Sequence, residues 1–421
     1  MSDAHGVPPQ VLRGLQLKEI GRYADAEKAF REALAQEPND AFALHHLAAC
    51  QFHLPDRHRD SLETINGAIA IEPNEPDHHI LRAFILCVLD RPKEALAAAQ
   101  TARQLAPVSD AAFTAEAQAH LQMARWAEAE RAARQALALD ADNSTAANQL
   151  AQALRLQNKM AENAGHLAGM LARDPEDPYT HANAGWAALQ RGAHREAEVH
   201  FREALRLNPE FDSAREGLLN SFRARSPIYR GYLRYCFAMQ RLSAGSRWAV
   251  IIGLYVAARI GSHLKGGVGL AIMAIYFLFV LWVWVARPFG NLMLLFDRFA
   301  RHALRRNEKI EAAVVGGGLC AGVLALALGM AISRPIALTA GIGLIAQSFP
   351  LAMTFTNRSR AGALLFGIVG GLTFLGTLLC IASEFAPFIP GPLAVDIFVA
   401  GCFGSLASTW LGNIPALRKM E

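Results

Sequence analysis

The sequence predicts an all-α fold, in which an amino-terminal α-solenoid of helical repeats precedes a polytopic bundle of about six transmembrane helices. Two observations lead to this fold class. A proline-containing motif returns every 34 or 35 residues through the first half of the 421-residue chain. Apolar runs of about 20 residues, long enough to span a bilayer as helices, fill the second half. The length itself is compatible with two or three domains.

Charge divides the chain at the same place as the two patterns. Residues 1–225 carry 24 basic and 31 acidic residues, a net charge of −7, whereas residues 226–421 carry 17 and 6, a net charge of +11. This division excludes a single soluble globule and a disordered or collagen-like chain. Nucleic-acid binding is disfavoured because the soluble half is acidic and the basic residues flank apolar runs. No cleaved signal peptide is expected, since the opening residues lack its basic and apolar regions.

The repeat is defined by turn prolines and by columns of similar side chains. The prolines are Pro38, Pro73, Pro107, Pro175 and Pro209, with Ala141 in the remaining position. One column of small residues comprises Gly14, Ala49, Ala83, Ala117, Ala151 and Gly185. A bulkier column comprises Phe30, Ile65, Ala99, Ala133, Leu167 and Phe201. Small residues are needed where paired helices cross closely, and the bulky ones fill the space between pairs.

On these columns, residues 7–210 resemble six tetratricopeptide repeats, which are helix–turn–helix units that stack into a solenoid. The second unit departs by one extra residue around His53–Asp60, and the fifth by Asn163 and Met170 in place of alanine. Residues 211–225 are expected to form a capping helix, so the repeat domain is predicted at 7–225. The whole arrangement resembles bacterial multi-pass membrane proteins that carry such repeats at the amino terminus.

The resemblance implies a groove lined by the first helix of each pair, in which a protein or peptide partner binds. The family's geometry assigns to it His46, Cys50, His53, Asp77, Phe84, Cys87, Gln118, Gln122, Gln152, Arg155, Tyr179, Trp186 and Gln190. This set is rich in amides and aromatic rings, which suits an extended peptide or a helix. The alternative is that many of these residues are simply solvated.

The second half, 248–421, is predicted to be a membrane domain. Five apolar runs are clear, at 266–286, 312–332, 336–356, 361–383 and 393–413, and a shorter one at 248–264 contains Arg259. If all six span, 16 Lys and Arg residues of the flanking segments lie on one side of the membrane and 3 on the other. Positive charge accumulates on the cytoplasmic side, so both termini are predicted in the cytoplasm, at the inner membrane.

Two arginine-rich segments are predicted to lie in the headgroup plane, with arginines toward anionic lipid. The first is the linker 226–247, in which apolar residues recur at helical spacing within 227–242. The second is 288–306, with Phe289 and Phe296 on one face and Arg298 and Arg305 on the other. Amphipathic basic helices of this kind bind membrane surfaces.

Polar and small residues within the apolar runs have two interpretations. Gln347 and Asp396 could belong to a conduction or proton path, or could be structural. Small residues at four-residue spacing could line a pore, although close helix packing is their more frequent role. They comprise Gly318 and Gly322, Gly367 and Gly371, and Ala400, Gly401, Gly404, Ser405, Ser408, Thr409 and Gly412.

The function predicted from these features is that of a membrane-anchored scaffold, which holds a protein partner at the cytoplasmic face of the inner membrane. A transporter or channel regulated by the repeats is the alternative, and a membrane enzyme is a third class. No catalytic motif is present, so an enzyme is not expected. The 14 histidines supply no convergent metal-ligand set, so neither a metal nor a cofactor is predicted. The oligomeric state is not defined by the sequence.

Overall fold

The regular elements are all helical. The computed structural model describes residues 8–242, 244–263, 267–298, 300–357, 359–386, 389–411 and 417, and no β-strand occurs within them. The helices are α1 (Pro9–Glu19), α2 (Tyr23–Gln36), α3 (Ala41–His53), α4 (His58–Ile71), α5 (Pro76–Val88), α6 (Pro92–Leu105), α7 (Asp110–Gln122), α8 (Trp126–Leu139), α9 (Ser144–Leu156), α10 (Met160–Arg173), α11 (Pro178–Arg191), α12 (His194–Leu207), α13 (Asp212–Arg223), α14 (Pro227–Arg241), α15 (Ala244–His263), α16 (Gly267–Phe296), α17 (Arg306–Glu311), α18 (Gly317–Ile332), α19 (Pro335–Thr356), α20 (Arg360–Ser383) and α21 (Gly391–Leu411).

The described residues form two compact units. One lies within Met1–Ala187 and Met239–Arg247, and the other within Ala188–Ala238 and Trp248–Glu421. The division therefore falls inside α11 and α14. The sequence-based limits of the repeat domain, the linker and the membrane domain, at residues 225 and 247, stay predictions.

The helices from α1 to α12 are consecutive pairs, and a left-handed residue closes the turn inside each pair. These residues are Gly21, Asp56, Asp90, Ala124, Asn158 and Gly192, all with a positive φ between 56° and 84°. They recur at intervals of 35 and then 34 residues, the same intervals as the turn prolines. Glycine, asparagine and aspartate adopt this conformation most readily. In the first unit the first helices also stack on each other, α1 on α3, α3 on α5, α5 on α7 and α7 on α9.

Ala124 is the one member of this series that is neither a glycine nor a residue with a short polar side chain. Its φ of 56° brings its β-carbon close to a carbonyl oxygen. We expect Ala124→Gly to stabilise the chain, and Gly192→Ala to destabilise it, each by about 1 kcal/mol. Thermal unfolding of the two variants in detergent measures both, and shifts of the same sign would contradict the account.

Phenylalanines of the bulky column pack against glycines of neighbouring helices. Phe30 is fully buried, and a β-carbon placed on Gly14 would lie 2.8 Å from its ring. In the second unit, Phe201 is also fully buried and lies directly against Gly217 of α13. A glycine is therefore required where each ring lies across the neighbouring helix.

A glutamate at one column, which is buried as Glu27 and Glu130 and half-buried as Glu198, links each of three repeats to the next turn. The ion pairs are Glu27 with Arg57 (2.9 Å), Glu130 with Lys159 (2.6 Å) and Glu198 with Arg225 (3.1 Å). Arg225 lies between α13 and α14, in the place that Arg57 and Lys159 occupy between the helices of earlier pairs. The hydroxyl of Tyr229 in α14 also donates to Asn220 Oδ1 in α13, at 2.9 Å. This bond connects α14 to α13, and the capping helix and separate linker suggested by the sequence stay predictions.

Four helices of the second unit are long and apolar enough to cross a membrane. They are Arg306–Ile332, Pro335–Phe355, Arg360–Ser383 and Gly391–Ser408. The first runs through α17, a π-helical turn at Ala312–Gly316 and α18. Helix α15 covers most of the predicted span 248–264, but it is not among the four. Residues 264, 266, 412 and 413 of the predicted spans lie outside the described residues.

Helix α16 provides a fifth candidate span if its two bent parts form one span, and it extends beyond the predicted end of that span. The sequence suggested a span that ends at 286 and a separate surface helix at 288–306. Instead the helix continues to Phe296, with a 55° bend between its parts Gly267–Val280 and Val285–Phe296. Pro288 explains the bend, because proline removes the hydrogen bond to the carbonyl four residues earlier and displaces that turn.

Candidate functional site

Amide side chains on successive first helices hydrogen bond to one another. Gln149 Nε2 donates to Gln118 Oε1 at 3.2 Å, and Gln122 Nε2 donates to the Cys87 carbonyl at 2.9 Å. Asn183 Nδ2 likewise donates to Asn148 Oδ1 at 2.8 Å. Each bond joins neighbouring repeats, so these amides hold the stack together. We call the surface that they follow the first-helix face.

The predicted groove residues differ in their access to solvent. Exposed residues are His53, Asp77, Gln122 and Tyr179. Half-buried residues are His46, Phe84, Gln118, Gln152, Trp186 and Gln190. Arg155 is 9% exposed, and the two predicted cysteines, Cys50 and Cys87, are 0% and 4% exposed. The three buried side chains therefore cannot present much surface to a partner, and partner binding by the others stays a prediction.

The first two repeats bring together a set of imidazoles that sequence reasoning only partly anticipated. His45 Nδ1 lies 3.1 Å from His78 Nδ1, and Lys18 Nζ lies 3.1 Å from His46 Nδ1. His53 stacks on Tyr23, with ring centroids 4.3 Å apart. The spacing of His45 and His78, close to one repeat, is the signal that could have identified their contact. Among the described residues no three metal-ligating side chains converge, so this set consists of pairs.

Burial keeps these imidazoles neutral. It lowers the pKa of His45 to about 4, with His78 adding to the effect, and the pKa of His46 to about 3, with Lys18 adding to it. The pKa of His78 is lowered as well, mainly by burial. The unfolded chain therefore binds protons on these side chains at a higher pH than the folded chain does.

This difference makes the stability of the repeats depend on pH. A group with a lowered pKa contributes stability above its unfolded pKa, near 6.5, that is lost as the pH falls toward the folded value. We expect the melting temperature to be flat above about pH 7 and to fall between pH 6.5 and 4. The pair His45→Gln and His46→Gln should reduce that fall, and exposed His263→Gln should not. An unchanged slope in the double variant would contradict this.

The second unit contains a polar cluster that the sequence did not reveal. Arg223, 1% exposed, donates through Nε and Nη2 to Asn291 Oδ1, at 3.0 and 2.6 Å, and through Nη1 to Glu216 at 3.0 Å. Burial alone would lower the pKa of this guanidinium, but Tyr229 and Glu216 raise it above its usual value. The charged Arg223 in α13 is thus hydrogen bonded to the buried Asn291 in α16. The two residues lie 68 positions apart in the sequence, and no periodic pattern predicts their contact.

The polar residues of the apolar helices differ in their exposure to solvent. Gln347 is 6% exposed, whereas Asp396 is exposed. The hydroxyls of Thr373, Thr377 and Ser408 donate to carbonyls one turn earlier in their own helices, at 2.7–2.9 Å. Such bonds satisfy hydroxyls without any ligand.

Small residues in these helices serve close packing. A β-carbon on Gly322 would lie 3.0 Å from Ile345, and one on Gly370 would lie 2.8 Å from Leu351. One on Gly401 would lie 2.7 Å from the backbone of Thr373. Gly371, by contrast, has nothing within 4 Å, and Gly412 lies outside the described residues. Of the predicted stripe glycines, Gly322 and Gly401 are thus packed closely, whereas Gly318 and Gly367 have no neighbour nearer than 3.6 Å, so the contacts support the packing interpretation for part of the stripes.

Paired helices, left-handed turns and a polar first-helix face define a class of helical-repeat proteins. Residues 19–85 and 114–178 each match a family model described as tetratricopeptide repeat. The first half of the chain therefore contains tetratricopeptide repeats. Proteins of this class offer extended surfaces for protein–protein interaction.

Several solved structures are similar to this chain over about half of its length. A tetratricopeptide repeat protein from Parabacteroides merdae ATCC 43184 is 14% identical, over 56% of this chain and 93% of its own, with a TM-score of 0.43. PilW, a widely conserved type IV pilus biogenesis factor, is 17% identical, over 50% and 96%, with a TM-score of 0.43. YrrB, a repeat protein with an unusual peptide-binding site, is 16% identical, over 45% and 96%, with a TM-score of 0.33. No curated protein matches the chain in sequence.

Proposed function

We propose that the protein is a non-catalytic scaffold that holds a protein partner at the cytoplasmic face of the inner membrane. One observation carries the proposal: a single chain combines tetratricopeptide repeats with four helices, or five with α16, that are long and apolar enough to span a bilayer. Repeats bind peptides or helices, and apolar helices provide an anchor.

The distribution of basic residues supports the proposed orientation. Six Lys and Arg residues lie in 223–247 and six in 287–309, and these segments flank the first candidate spans. In a six-span arrangement with α15 as the first span, both segments lie on the cytoplasmic side, where positive charge accumulates. Their arginines would then face anionic headgroups. Both termini, and with them the repeats, are placed in the cytoplasm by this proposal.

The contacts in the apolar helices favour an anchor over a transport path. Their hydroxyls bond to their own backbone, and most of the glycines face another helix closely. A transporter would need polar groups directed into a shared cavity at membrane depth. We therefore assign Gln347 a structural role in this proposal.

Partner capture by the first-helix face is the direct test of the scaffold. Full-length protein is purified from native membranes with its bound proteins, and the recovered proteins are identified by mass spectrometry. We expect Trp186→Ala to weaken recovery of a specific partner about tenfold or more, as aromatic residues commonly dominate interfaces. Val199, exposed on the second helix of the sixth pair, is the control, and Val199→Ala should leave recovery unchanged. Equal recovery by both variants would contradict binding at this face.

A further inference from the structure

Two glutamates on the same face of α17 are buried in the second unit, yet their surroundings differ. Glu308 is 5% exposed and accepts two hydrogen bonds from the guanidinium of Arg215, at 3.0 and 3.2 Å. It also accepts from the backbone N–H of Arg305 at 2.7 Å, and Arg287 lies 3.8 Å away. Glu308 therefore has every feature of an ionised carboxylate.

Glu311, one turn further along, lacks these partners. It is 2% exposed, and its Oε2 accepts one long hydrogen bond from Asn291 Nδ2, at 3.3 Å. Its Oε1 is buried without a hydrogen-bond partner among the described residues. Within the same residues, no Lys, Arg or His nitrogen lies within 4.0 Å of its carboxylate, unlike Glu308.

The charged groups around Glu311 are already engaged with other partners. From α13, Arg223 uses its donors on Asn291, Asn220 and Glu216, while Arg215 pairs with Glu308. From α16, Arg287 lies closer to Glu308. From α14, Tyr229 donates its hydroxyl to Asn220.

An ionised Glu311 would thus place a buried negative charge beside no direct counter-ion, which is unfavourable. A proton on Oε1 removes that charge.

We propose that Glu311 is a proton-binding site, and that its proton maintains the bond network joining α13 to α16. Asn291 is the shared residue, since its Oδ1 accepts from Arg223 and its Nδ2 donates to Glu311. Loss of the proton leaves a negative charge on Glu311, which then competes with Asn291 and Glu216 for the guanidinium of Arg223. Glu311 directly precedes the π-helical turn Ala312–Gly316. π-helical turns within α-helices are frequent at functional sites.

The experiment compares Glu311→Gln with Glu308→Gln in the full chain, reconstituted in lipid nanodiscs. Glutamine mimics a protonated glutamate, so Glu311→Gln should melt with the wild type at about pH 4 or below. As the pH rises above about 4.3, the unfolded wild type releases this proton while the folded chain still holds it, and the loss of stability levels off once the folded chain has released the proton too. The wild type should therefore lose stability relative to Glu311→Gln. The slope of this difference in unfolding free energy against pH should correspond to about one proton. Glu308→Gln should melt below the wild type at neutral pH, because it loses an ionised partner of Arg215.

Infrared spectroscopy supplies a readout that a purely structural role would not produce. At about pH 6, solvated carboxyl groups are ionised, so a protonated carboxyl stretch reports a buried acid. The band should appear in the wild type and in Glu308→Gln, and should be absent from Glu311→Gln. A band that persists in Glu311→Gln, or a Glu311→Gln variant that melts below the wild type across the whole pH range, would overturn the assignment.

Discussion

Replacing Arg223 with alanine is expected to destabilise the second unit by about 3–5 kcal/mol, since it removes one partner of a buried, hydrogen-bonded charge. The side chain is fully buried, and Asn291 and Glu216 lose its donors together. Thermal unfolding in detergent should show a lower midpoint for this variant. Proteolysis of the α13–α14 segment should also become faster, because its attachment to α16 is lost.

Arg225, two residues further, is the matched control. Its side chain is 48% exposed and forms ion pairs with Glu198 and Asp297, at 3.1 and 2.9 Å. Exposed pairs contribute about 0–1 kcal/mol, so Arg225→Ala should have a small effect. If Arg225→Ala lowered the unfolding midpoint as much as Arg223→Ala does, the burial of Arg223 would not explain its contribution to stability. The polar cluster around Arg223 would then not be what stabilises the second unit.

Phe30→Ala is expected to cost about 3–5 kcal/mol in the first unit, because truncation of a buried aromatic ring leaves a cavity that the helices fill poorly. Phe30 is 0% exposed and packs with Val11, Ala26 and Leu47. Thermal unfolding followed by circular dichroism measures the change. Phe42→Ala, a change of the same type at a residue 50% exposed, is the control and should cost less than about 1 kcal/mol.

A double-variant cycle tests whether Phe30 and Gly14 form one packing unit. A β-carbon at Gly14 would lie 2.8 Å from the ring, so Gly14→Ala should overpack this site by about 1–3 kcal/mol. Phe30→Leu makes room for that carbon, and the combined variant should be less destabilised than the sum of the two. Additive effects would contradict direct contact between the columns.

The repeats could be predicted from the sequence because their physics is local and periodic. Each left-handed turn, such as the one at Gly192, is set by residues within one helix pair, and each small or bulky column repeats the same contact. The bend in α16 was missed because Pro288 and the charges after it resemble the end of a span. The helix continues since a proline can be accommodated within it as a bend.

The polar clusters could not be predicted in the same way. Arg223 and Asn291 lie 68 positions apart on helices of different character, so no column relates them. Glu311 follows Glu308 by one turn, and only the three-dimensional partners distinguish the two carboxylates. For the first-helix face, the sequence predicted Gln118 and Gln122 as groove residues, but it gave no sign that their amides bond to neighbouring repeats.

We propose that the apolar helices attach the protein to the membrane, and fractionation of washed membranes tests this attachment most directly. Full-length protein and a fragment ending at residue 225 are each produced in a bacterial host, and the membranes are washed with alkaline carbonate. The full chain should remain in the membrane pellet, while the fragment should appear in the soluble fraction as a folded helical protein. Release of the intact full chain by the wash would contradict the account.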